Sequence, residues 1–125
     1  MIGLGIDLCQ VERIEKAMAA HANFLSRYYT EEEQAYIVQR GKAGAQSAAA
    51  MFAAKEALLK AMGIGLSGGV SMREIGVCHD TNGAPCYKLT GAAAEKLRAM
   101  SGGTIYLSLT HEGGTAAAVA VIERN

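Results

Sequence analysis

Three charged side chains lie close together on one helix-forming segment in the middle of the chain. The segment FAAKEALLKAMG covers residues 52–63 and carries Lys55, Glu56 and Lys60. At about 100° per residue, Lys55 falls inside the arc of bulky apolar side chains, Glu56 falls at its edge, and Lys60 lies beyond Glu56. Burial of that arc would take two charges with it. A carboxylate can bind a hard cation, and an ammonium group can bind an anion.

Each of these charges also has a simpler explanation. Glu56 and Lys60 have i,i+4 spacing and can form a surface ion pair worth about 0.2–0.5 kcal/mol. Lys55 can lay its aliphatic stem along the apolar arc and keep its ammonium group in water. Asp7 follows an apolar run, where an unpartnered acid is costly to bury, and it can instead cap the helix that begins near Gln10. The residues alone leave these alternatives open.

The cysteines and histidines do not form a zinc signature. His21, His79 and His111 are scattered, and no pair of thiols has C-x-x-C spacing, so a metal here would be a hard cation held by oxygen. Cys78 and Cys86 flank HDTNGAP and can face each other across a hairpin. An odd total of three cysteines nevertheless predicts free thiols acting as small buried residues.

Residues 63–68 spell G-x-G-x-x-G, the pattern of a dinucleotide-binding turn. The pattern follows a predicted helix and opens none, so the strand–turn–helix context of such a site is missing. We predict a helix-ending loop whose exposed N–H groups, including those of Gly63 and Gly65, can contact a phosphate.

Length and charge limit the classes of protein that fit. The chain has 125 residues, half of them apolar, which predicts a single domain over residues 1–125. Lys plus Arg and Asp plus Glu both number 12, which argues against a nucleic-acid binder or an anionic-membrane binder. The chain has no long apolar run, and no basic region precedes Asp7, so we expect a cytoplasmic protein without a membrane segment.

Hydrophobic periodicity predicts an α+β fold. Helices are expected over residues 10–21, 30–41, 43–63 and 91–103, the second opening with a Thr30–Glu33 capping box. Strands are expected over residues 1–8, ending at or near Asp7, and over 72–80, 86–91, 104–111 and 116–124. Asn82-Gly83 is the expected reversal of one hairpin. The last strand is almost wholly apolar, so it should be central or covered on both faces.

Three segments together resemble one known family. GIDLCQVER (residues 5–13), FAAKEALLKAMGIG (52–65) and SLTHEGGTAAAVAV (108–121) are similar to the three signatures of the 4′-phosphopantetheinyl transferases. Shorter matches at TEEE, NGAP and KLTG extend the resemblance over nearly the whole chain, and the short length resembles the holo-acyl-carrier-protein synthase branch. The resemblance implies the phosphopantetheinyl transferase fold, in which antiparallel strands pack on a long central helix.

The resemblance also implies a reaction. Members move the phosphopantetheine arm of coenzyme A onto a serine of apo acyl carrier protein and release adenosine 3′,5′-bisphosphate. Such a phosphoryl transfer requires charge neutralisation on a pyrophosphate and a nucleophilic hydroxyl. By resemblance, Asp7 and Glu56 bind Mg²⁺ together with pyrophosphate oxygens and water, and Lys60 acts with them as a phosphate ligand.

Other residues are candidate contacts of the coenzyme. Lys55, which flanks Glu56 on the helix, is the second candidate phosphate ligand, and the loop residues Gly63 and Gly65 are further candidates. The resemblance adds His111 to them. His111 can also be an ordinary strand-end histidine. Transfer is expected to be direct, without a covalent enzyme intermediate. The proton of the attacking serine would pass to a carboxylate, Glu56 being the nearest, or to a metal-bound water.

The resemblance further implies partners. Arg13, on the first helix, is expected to receive the acidic recognition helix of the carrier protein, although a solvated surface arginine has the same sequence signature. Members of this branch are homotrimers with active sites between subunits. The apolar surplus of the last strand and of the alanine-rich helix is compatible with such an interface.

The chain departs from the family pattern at two positions. Met51 stands where a basic residue is common, and Tyr106 stands where a histidine is common; both would contact the coenzyme. Two other functions are therefore weighed: a non-catalytic module that binds carrier protein or nucleotide on the same scaffold, and a purely structural oligomer. Modification of a carrier protein would distinguish the enzyme from both.

Overall fold

A computed structural model of the chain describes residues 1–65 and 68–125. Its helices are α1 (Val11–Ala20), α2 (Phe24–Tyr28), α3 (Glu31–Gln39), α4 (Gly44–Ala61) and α5 (Gly91–Ala99). Its strands are β1 (Gly3–Gln10), β2 (Ile75–His79), β3 (Pro85–Leu89), β4 (Gly102–Glu112) and β5 (Thr115–Arg124). Short 3₁₀ turns cover Gly41–Ala43 and Met72–Glu74. The predicted α+β class is confirmed.

The larger sheet has the antiparallel order β1-β5-β4, so the last strand is central, as its apolar sequence predicts. β5 pairs with both edge strands, and Ala118 lies opposite Asp7 on one side and Leu109 on the other. Alternate β5 side chains point to the interior and are fully or almost fully buried: Ala116, Ala118, Ala120 and Ile122. This inner face packs on α4.

Helix α4 is the centre of the core. Twelve of its 18 residues are buried, many of them alanines that allow the sheet to approach closely. Strand β1 lies directly on this helix because it has no side chain at two inward positions. A Cβ atom at Gly5 would overlap the Ala57 carbonyl oxygen, and one at Gly3 would overlap that of Ala61. The two glycines therefore set the distance between β1 and α4.

The second sheet is the β2–β3 hairpin, and the predicted Asn82-Gly83 pair lies in its connection. The turn is wider than the predicted tight reversal, because it runs from Asp80 to Gly83, whose N–H group donates to the Asp80 carbonyl oxygen at 2.9 Å. Gly83 has φ +83°, a left-handed conformation that glycine adopts without strain. The Asp80 carboxylate accepts hydrogen bonds from the Asn82 and Ala84 N–H groups at 2.8 and 3.0 Å. The turn is thus fixed by its own side chain.

Two expectations about the N-terminal half are wrong. β1 does not end near Asp7 but continues to Gln10, because Leu8, Cys9 and Gln10 keep their pairing with β5. Gln10 is the N-cap residue of α1, so Asp7 is not a helix cap. The short helix α2 was not predicted, since five residues carry too little periodicity to be recognised. The Thr30–Glu33 capping box is confirmed.

Within the described residues, the structure contains no helix with the length and hydrophobicity needed to cross a membrane.

Replacement of Gly5 by alanine tests the spacing between β1 and α4. Gly5→Ala forces the strand away from the Ala57 carbonyl, and we expect a loss of about 1–3 kcal/mol in the free energy of unfolding, measured with urea. Gly65→Ala is the matched control, because a Cβ atom there meets no described atom within 4 Å; its effect should stay within about 0.5 kcal/mol. Equal stability of Gly5→Ala and the unmodified protein would contradict the close packing.

Candidate active site

Asp7 and Lys60 meet across the contact between β1 and α4. The Lys60 Nζ atom donates to Asp7 Oδ1 at 2.9 Å and to the Ile6 carbonyl oxygen at 3.0 Å. The Asp7 side chain is 11% exposed, whereas that of Lys60 is 57% exposed. Lys60 therefore forms its ion pair across the fold, and the alternative i,i+4 pair with Glu56 is not among the salt bridges of the described residues.

Glu56 lies beside Asp7, so two carboxyl groups share one site. Burial raises the pKa of Glu56, and the contact with the Asp7 carboxyl and its negative charge raise this pKa further. The positive charges of Arg13 and Lys60 act in the opposite direction. Asp7 and Glu56, 49 positions apart in the sequence (56 − 7), are thus brought together by the tertiary structure.

The pair has the chemistry of a hard-cation site. Asp7 Oδ2 is buried and has no hydrogen-bond partner, which is costly unless a cation or another donor binds it. The described residues contain no cluster of three or more His, Cys, Asp or Glu side chains, so an ion here would have at most two such ligands from one chain. Mg²⁺ is commonly held by one or two carboxylates together with substrate phosphates and water, and the two residues fit that ion.

Arg13 and Cys9 complete the surroundings of the two acids. Arg13 is exposed on α1, and its guanidinium carbon lies 5.4 Å from the centroid of the Phe52 ring. Cys9 is 1% exposed, and burial raises its pKa, an effect that the charge of Arg13 partly offsets. Sequence reasoning missed Cys9; its position two residues after Asp7, on the same face of β1, was the available signal.

Lys55 is not placed to bind a substrate, and the prediction that it contacts the coenzyme is wrong in this structure. Its side chain is 0% exposed, and Nζ donates to Glu33 Oε1 at 2.7 Å, to the Met72 carbonyl at 3.0 Å and to the Ile75 carbonyl at 2.7 Å. These three acceptors use all three N–H bonds of an ammonium group. Lys55 also does not extend to solvent, as the alternative explanation required. Burial lowers its pKa, and the Glu33 carboxylate opposes that shift.

Glu33, the partner of Lys55, links three elements. Its Oε1 atom also accepts a hydrogen bond from the Thr30 N–H at 2.7 Å, and its Oε2 atom accepts one from the Val77 N–H at 2.8 Å. Helix α3, helix α4 and strand β2 therefore meet at one buried ion pair. The capping box identified Glu33 only as a helix-start residue, because its long-range partners leave no local signature.

His111 lies in a cleft at the other edge of the larger sheet from Asp7. Its Nδ1 atom is 3.0 Å from Gln46 Nε2, and the cleft has a volume of about 150 Å³. Asp7 on β1 and Leu109 on β4 flank the same residue of β5, so the two edge strands are roughly 10 Å apart. The cleft is lined by side chains of α4 and β4 and by one arginine: Arg40, Gln46, Ser47, Ala50, Leu109, Thr110 and His111.

The glycine-rich segment after α4 is only partly described. Gly63 is exposed and has φ +73°, which ends the helix in the left-handed conformation. Gly65 is also exposed, and residues 66 and 67 of the G-x-G-x-x-G pattern lie outside the described residues. Phosphate contacts by Gly63 and Gly65 stay a prediction.

Comparison with known proteins identifies the family. The family model described as "4'-phosphopantetheinyl transferase superfamily" matches residues 3–119, nearly the whole chain. The chain belongs to this superfamily. A relative from Treponema denticola, named "Holo-[acyl-carrier-protein] synthase", is 43% identical over 123 residues and is aligned over 98% of each chain.

Solved structures of the superfamily share the fold. The holo-[acyl-carrier-protein] synthase of Neisseria meningitidis superposes with a TM-score of 0.89 at 36% identity, covering 99% of this chain and 100% of that one. The Helicobacter pylori holo-[acyl-carrier-protein] synthase, described in complex with coenzyme A, has a TM-score of 0.81 at 30% identity and covers 96% and 99% of the two chains.

The two departures from the superfamily pattern occupy different environments. Met51 is 3% exposed and belongs to the core of α4, where a charged side chain would need a partner. Tyr106 is 56% exposed on the outer face of the sheet. Packing inside the chain therefore explains Met51, whereas no contact among residues 1–65 and 68–125 explains Tyr106.

The raised pKa of Glu56 leads to a prediction about how thermal stability depends on pH. A carboxyl whose pKa in the folded protein lies above its ordinary value of 4.5 binds more protons in the folded than in the unfolded state. The folded protein therefore loses stability as the pH rises from about 4.5 through the raised pKa. We expect Glu56→Gln, in the presence of a chelator, to melt at a higher temperature than the unmodified protein at pH 7 and to lose this advantage below pH ~4.5. Glu95→Gln, an exposed change on α5, controls for loss of a surface charge. Lower stability of Glu56→Gln at pH 7 would contradict the shift.

Proposed function

We propose that this protein transfers the 4′-phosphopantetheine group of coenzyme A to a serine of an apo acyl carrier protein and releases adenosine 3′,5′-bisphosphate. The observation that carries the proposal is the buried, unpartnered oxygen of Asp7 beside Glu56, in a chain of this transferase superfamily. The names of the relatives support the carrier protein as acceptor, and the coenzyme A complex of the Helicobacter pylori relative supports coenzyme A as the donor.

The three free cysteines suit a reducing compartment, and we propose a cytoplasmic location.

Asp7 and Glu56 are proposed to hold Mg²⁺. When bound, the ion would neutralise negative charge on the pyrophosphate of coenzyme A. Lys60 is suited to share that task, because its exposed ammonium group already lies at the same carboxylate. We propose that Lys60 contacts a phosphate oxygen, and that the N–H groups of Gly63 and Gly65 can do so as well.

Glu56 is the candidate base for the serine hydroxyl. Of the two carboxylates, Asp7 is already paired with Lys60, which leaves Glu56 to accept the proton. In the proposed step the serine oxygen forms a bond to the phosphorus that bears the pantetheine arm. The bond from that phosphorus to the bridging oxygen breaks, and adenosine 3′,5′-bisphosphate leaves. The serine proton passes to Glu56, and no bond forms between the enzyme and the phosphorus.

A transfer assay tests the proposal. Purified protein, coenzyme A and Mg²⁺ should increase the mass of an apo carrier protein by one phosphopantetheine group. Because both acids are proposed metal ligands, Asp7→Asn and Glu56→Gln should each reduce the rate at least about 100-fold. Titration calorimetry should show weakened Mg²⁺ binding by the same variants. The matched control Glu95→Gln, an exposed acid on α5, should keep the full rate.

The assay also separates the rival functions. Binding of coenzyme A and carrier protein without a mass increase would favour a non-catalytic module. Full activity of Asp7→Asn would overturn the proposed metal site, and unchanged ligand affinities in both variants would favour a purely structural oligomer.

Arg13 is proposed to bind the carrier protein. Arg13 is an exposed residue, and its guanidinium lies against Phe52 and carries positive charge next to the two acids. An acidic helix docked there would bring its serine near the site.

Replacing Arg13 should weaken carrier binding more than it slows chemistry. We expect Arg13→Ala to raise KM for the carrier protein about 3- to 10-fold, with a weaker dependence on salt and a much smaller change in kcat. Lys16→Ala is the control on the same helix, because Lys16 is 77% exposed and pairs only with Glu12 within the described residues. A kcat effect without a KM effect would contradict the docking role.

The outer face of the larger sheet is proposed to form a homotrimer. Leu4, Ile6 and Leu8 project from β1 with exposures of 57%, 63% and 64%, and Tyr106 adds an aromatic ring at 56% on β4. A continuous apolar face of this kind typically marks an interaction site. In such an assembly, the His111 cleft of one subunit can meet the Asp7–Glu56 site of the next, and we propose that His111 contacts the coenzyme across that interface.

A charge placed on this face should dissociate the assembly. Ile6→Glu should shift the molar mass measured by light scattering from trimer to monomer and should lower transfer activity at least about 10-fold, because a buried, unpaired carboxylate is costly. Val38→Glu is the matched control, since Val38 is 72% exposed on α3, away from the sheet. A monomeric unmodified protein with full activity would contradict the trimer.

A further inference from the structure

The β2–β3 hairpin brings two thiols together. Cys78 and Cys86 are directly opposite in the antiparallel register, and their sulfur atoms are 3.0 Å apart. The Cys78 thiol also lies 3.6 Å from the Cys86 carbonyl oxygen. Both side chains are half-buried, so solutes can reach them, and both cysteines are free.

Backbone geometry at this pair is compatible with a disulfide. Opposite residues of antiparallel strands have Cα atoms about 4.5–5.5 Å apart, and disulfides span Cα separations of about 4.4–6.8 Å. A sulfur–sulfur bond is about 2.05 Å long, so closure requires the two sulfurs to approach by only about 1 Å. Small rotations of the two side chains supply this movement without a change of register.

The surrounding contacts hold the two strands in that register. The Val77 N–H is bonded to the buried Glu33 carboxylate, and the Tyr87 hydroxyl donates to the Ala54 carbonyl of α4 at 2.5 Å. These residues precede Cys78 and follow Cys86, so each strand is anchored next to its thiol. Neither cysteine belongs to the proposed active site.

We propose that Cys78 and Cys86 form a reversible dithiol–disulfide site that reacts with low-molecular-weight disulfides. One cysteine loses its proton and attacks the small disulfide, which releases one small thiol and leaves a mixed disulfide. The second cysteine then loses its proton and attacks the protein sulfur of that mixed disulfide, which releases a second small thiol. The cysteine pair is oxidised by two electrons and the small disulfide is reduced by two electrons.

The local electrostatics make this exchange slow at neutral pH. Burial raises the pKa of Cys78 to about 11, with further contributions from the Cys86 thiol and the Glu32 carboxylate, and Lys88 opposes them. Because the thiolate is the attacking species, the reaction is best followed at mildly alkaline pH.

Incubation with glutathione disulfide tests the proposal. The protein should lose the mass of two hydrogen atoms, and the number of titratable thiols should fall from three to one. Peptide mapping should find Cys78 linked to Cys86 within one chain. The melting temperature should rise by roughly 5 °C, because the bond restricts the unfolded chain, and dithiothreitol should reverse the shift.

Three variants sharpen the test. Cys78→Ser and Cys86→Ser each leave one thiol of the pair, which should retain a stable glutathionyl adduct. Cys9→Ser removes the buried cysteine outside the pair and should still form the link. Accumulation of two glutathionyl adducts on the unmodified protein, links only between chains, or three thiols left free would each overturn the proposal.

Discussion

The close contact between β1 and α4 is the constraint on which the candidate site depends. Two positions without side chains, Gly3 and Gly5, allow the strand to lie against the helix backbone. The next inward residue of β1 is Asp7, which therefore reaches the carboxylate and ammonium groups of the last two turns of α4. A strand held one side-chain diameter farther away would separate the acids, and no two-carboxylate site would form.

The buried Lys55–Glu33 pair supports the opposite side of the same helix. Breaking such a pair by removing one partner typically costs about 3–5 kcal/mol, because an uncompensated charge is left in the core. Here the pair also satisfies backbone groups of Met72, Ile75 and Val77, so it fixes the hairpin on α4. The two lysines of the helix thus have different tasks. Lys55 organises the interior, and Lys60 faces the site.

The division of one sheet into two faces explains why the site and the proposed interface coexist. The inner face carries small residues that bring α4 close, whereas the outer face carries Leu4, Ile6 and Leu8, which a single chain leaves exposed. Alternation along β1 therefore links the proposed active site and the proposed interface, since neighbouring residues of one strand point to α4 and to the proposed neighbouring subunit. The Cys78–Cys86 pair lies in the separate β2–β3 sheet and can change its oxidation state without using these faces.

The sequence by itself determined the elements whose signals are local. Periodicity and capping located α3 and α4, the Asn82-Gly83 turn located the hairpin, and the apolar last strand indicated its central position. Family signatures selected Asp7, Glu56 and Lys60, which the structure places in one site. Local pattern was sufficient for the secondary-structure elements, because each of their signals lies within a few turns of chain, whereas the roles of the three site residues rest on the family resemblance.

Only the tertiary structure decided which charges are partners. Lys60 pairs with Asp7 and not with Glu56, its i,i+4 neighbour. Lys55, predicted to contact the coenzyme, lies instead at the centre of a buried network with Glu33. Tertiary structure also determines where β1 ends, because the residues after Asp7 continue to pair with β5. Sequence spacing indicates which residues share a helix face. Long-range packing determines which charged groups lose their water and must be paired with another group. That loss of water therefore determines the role of each charge.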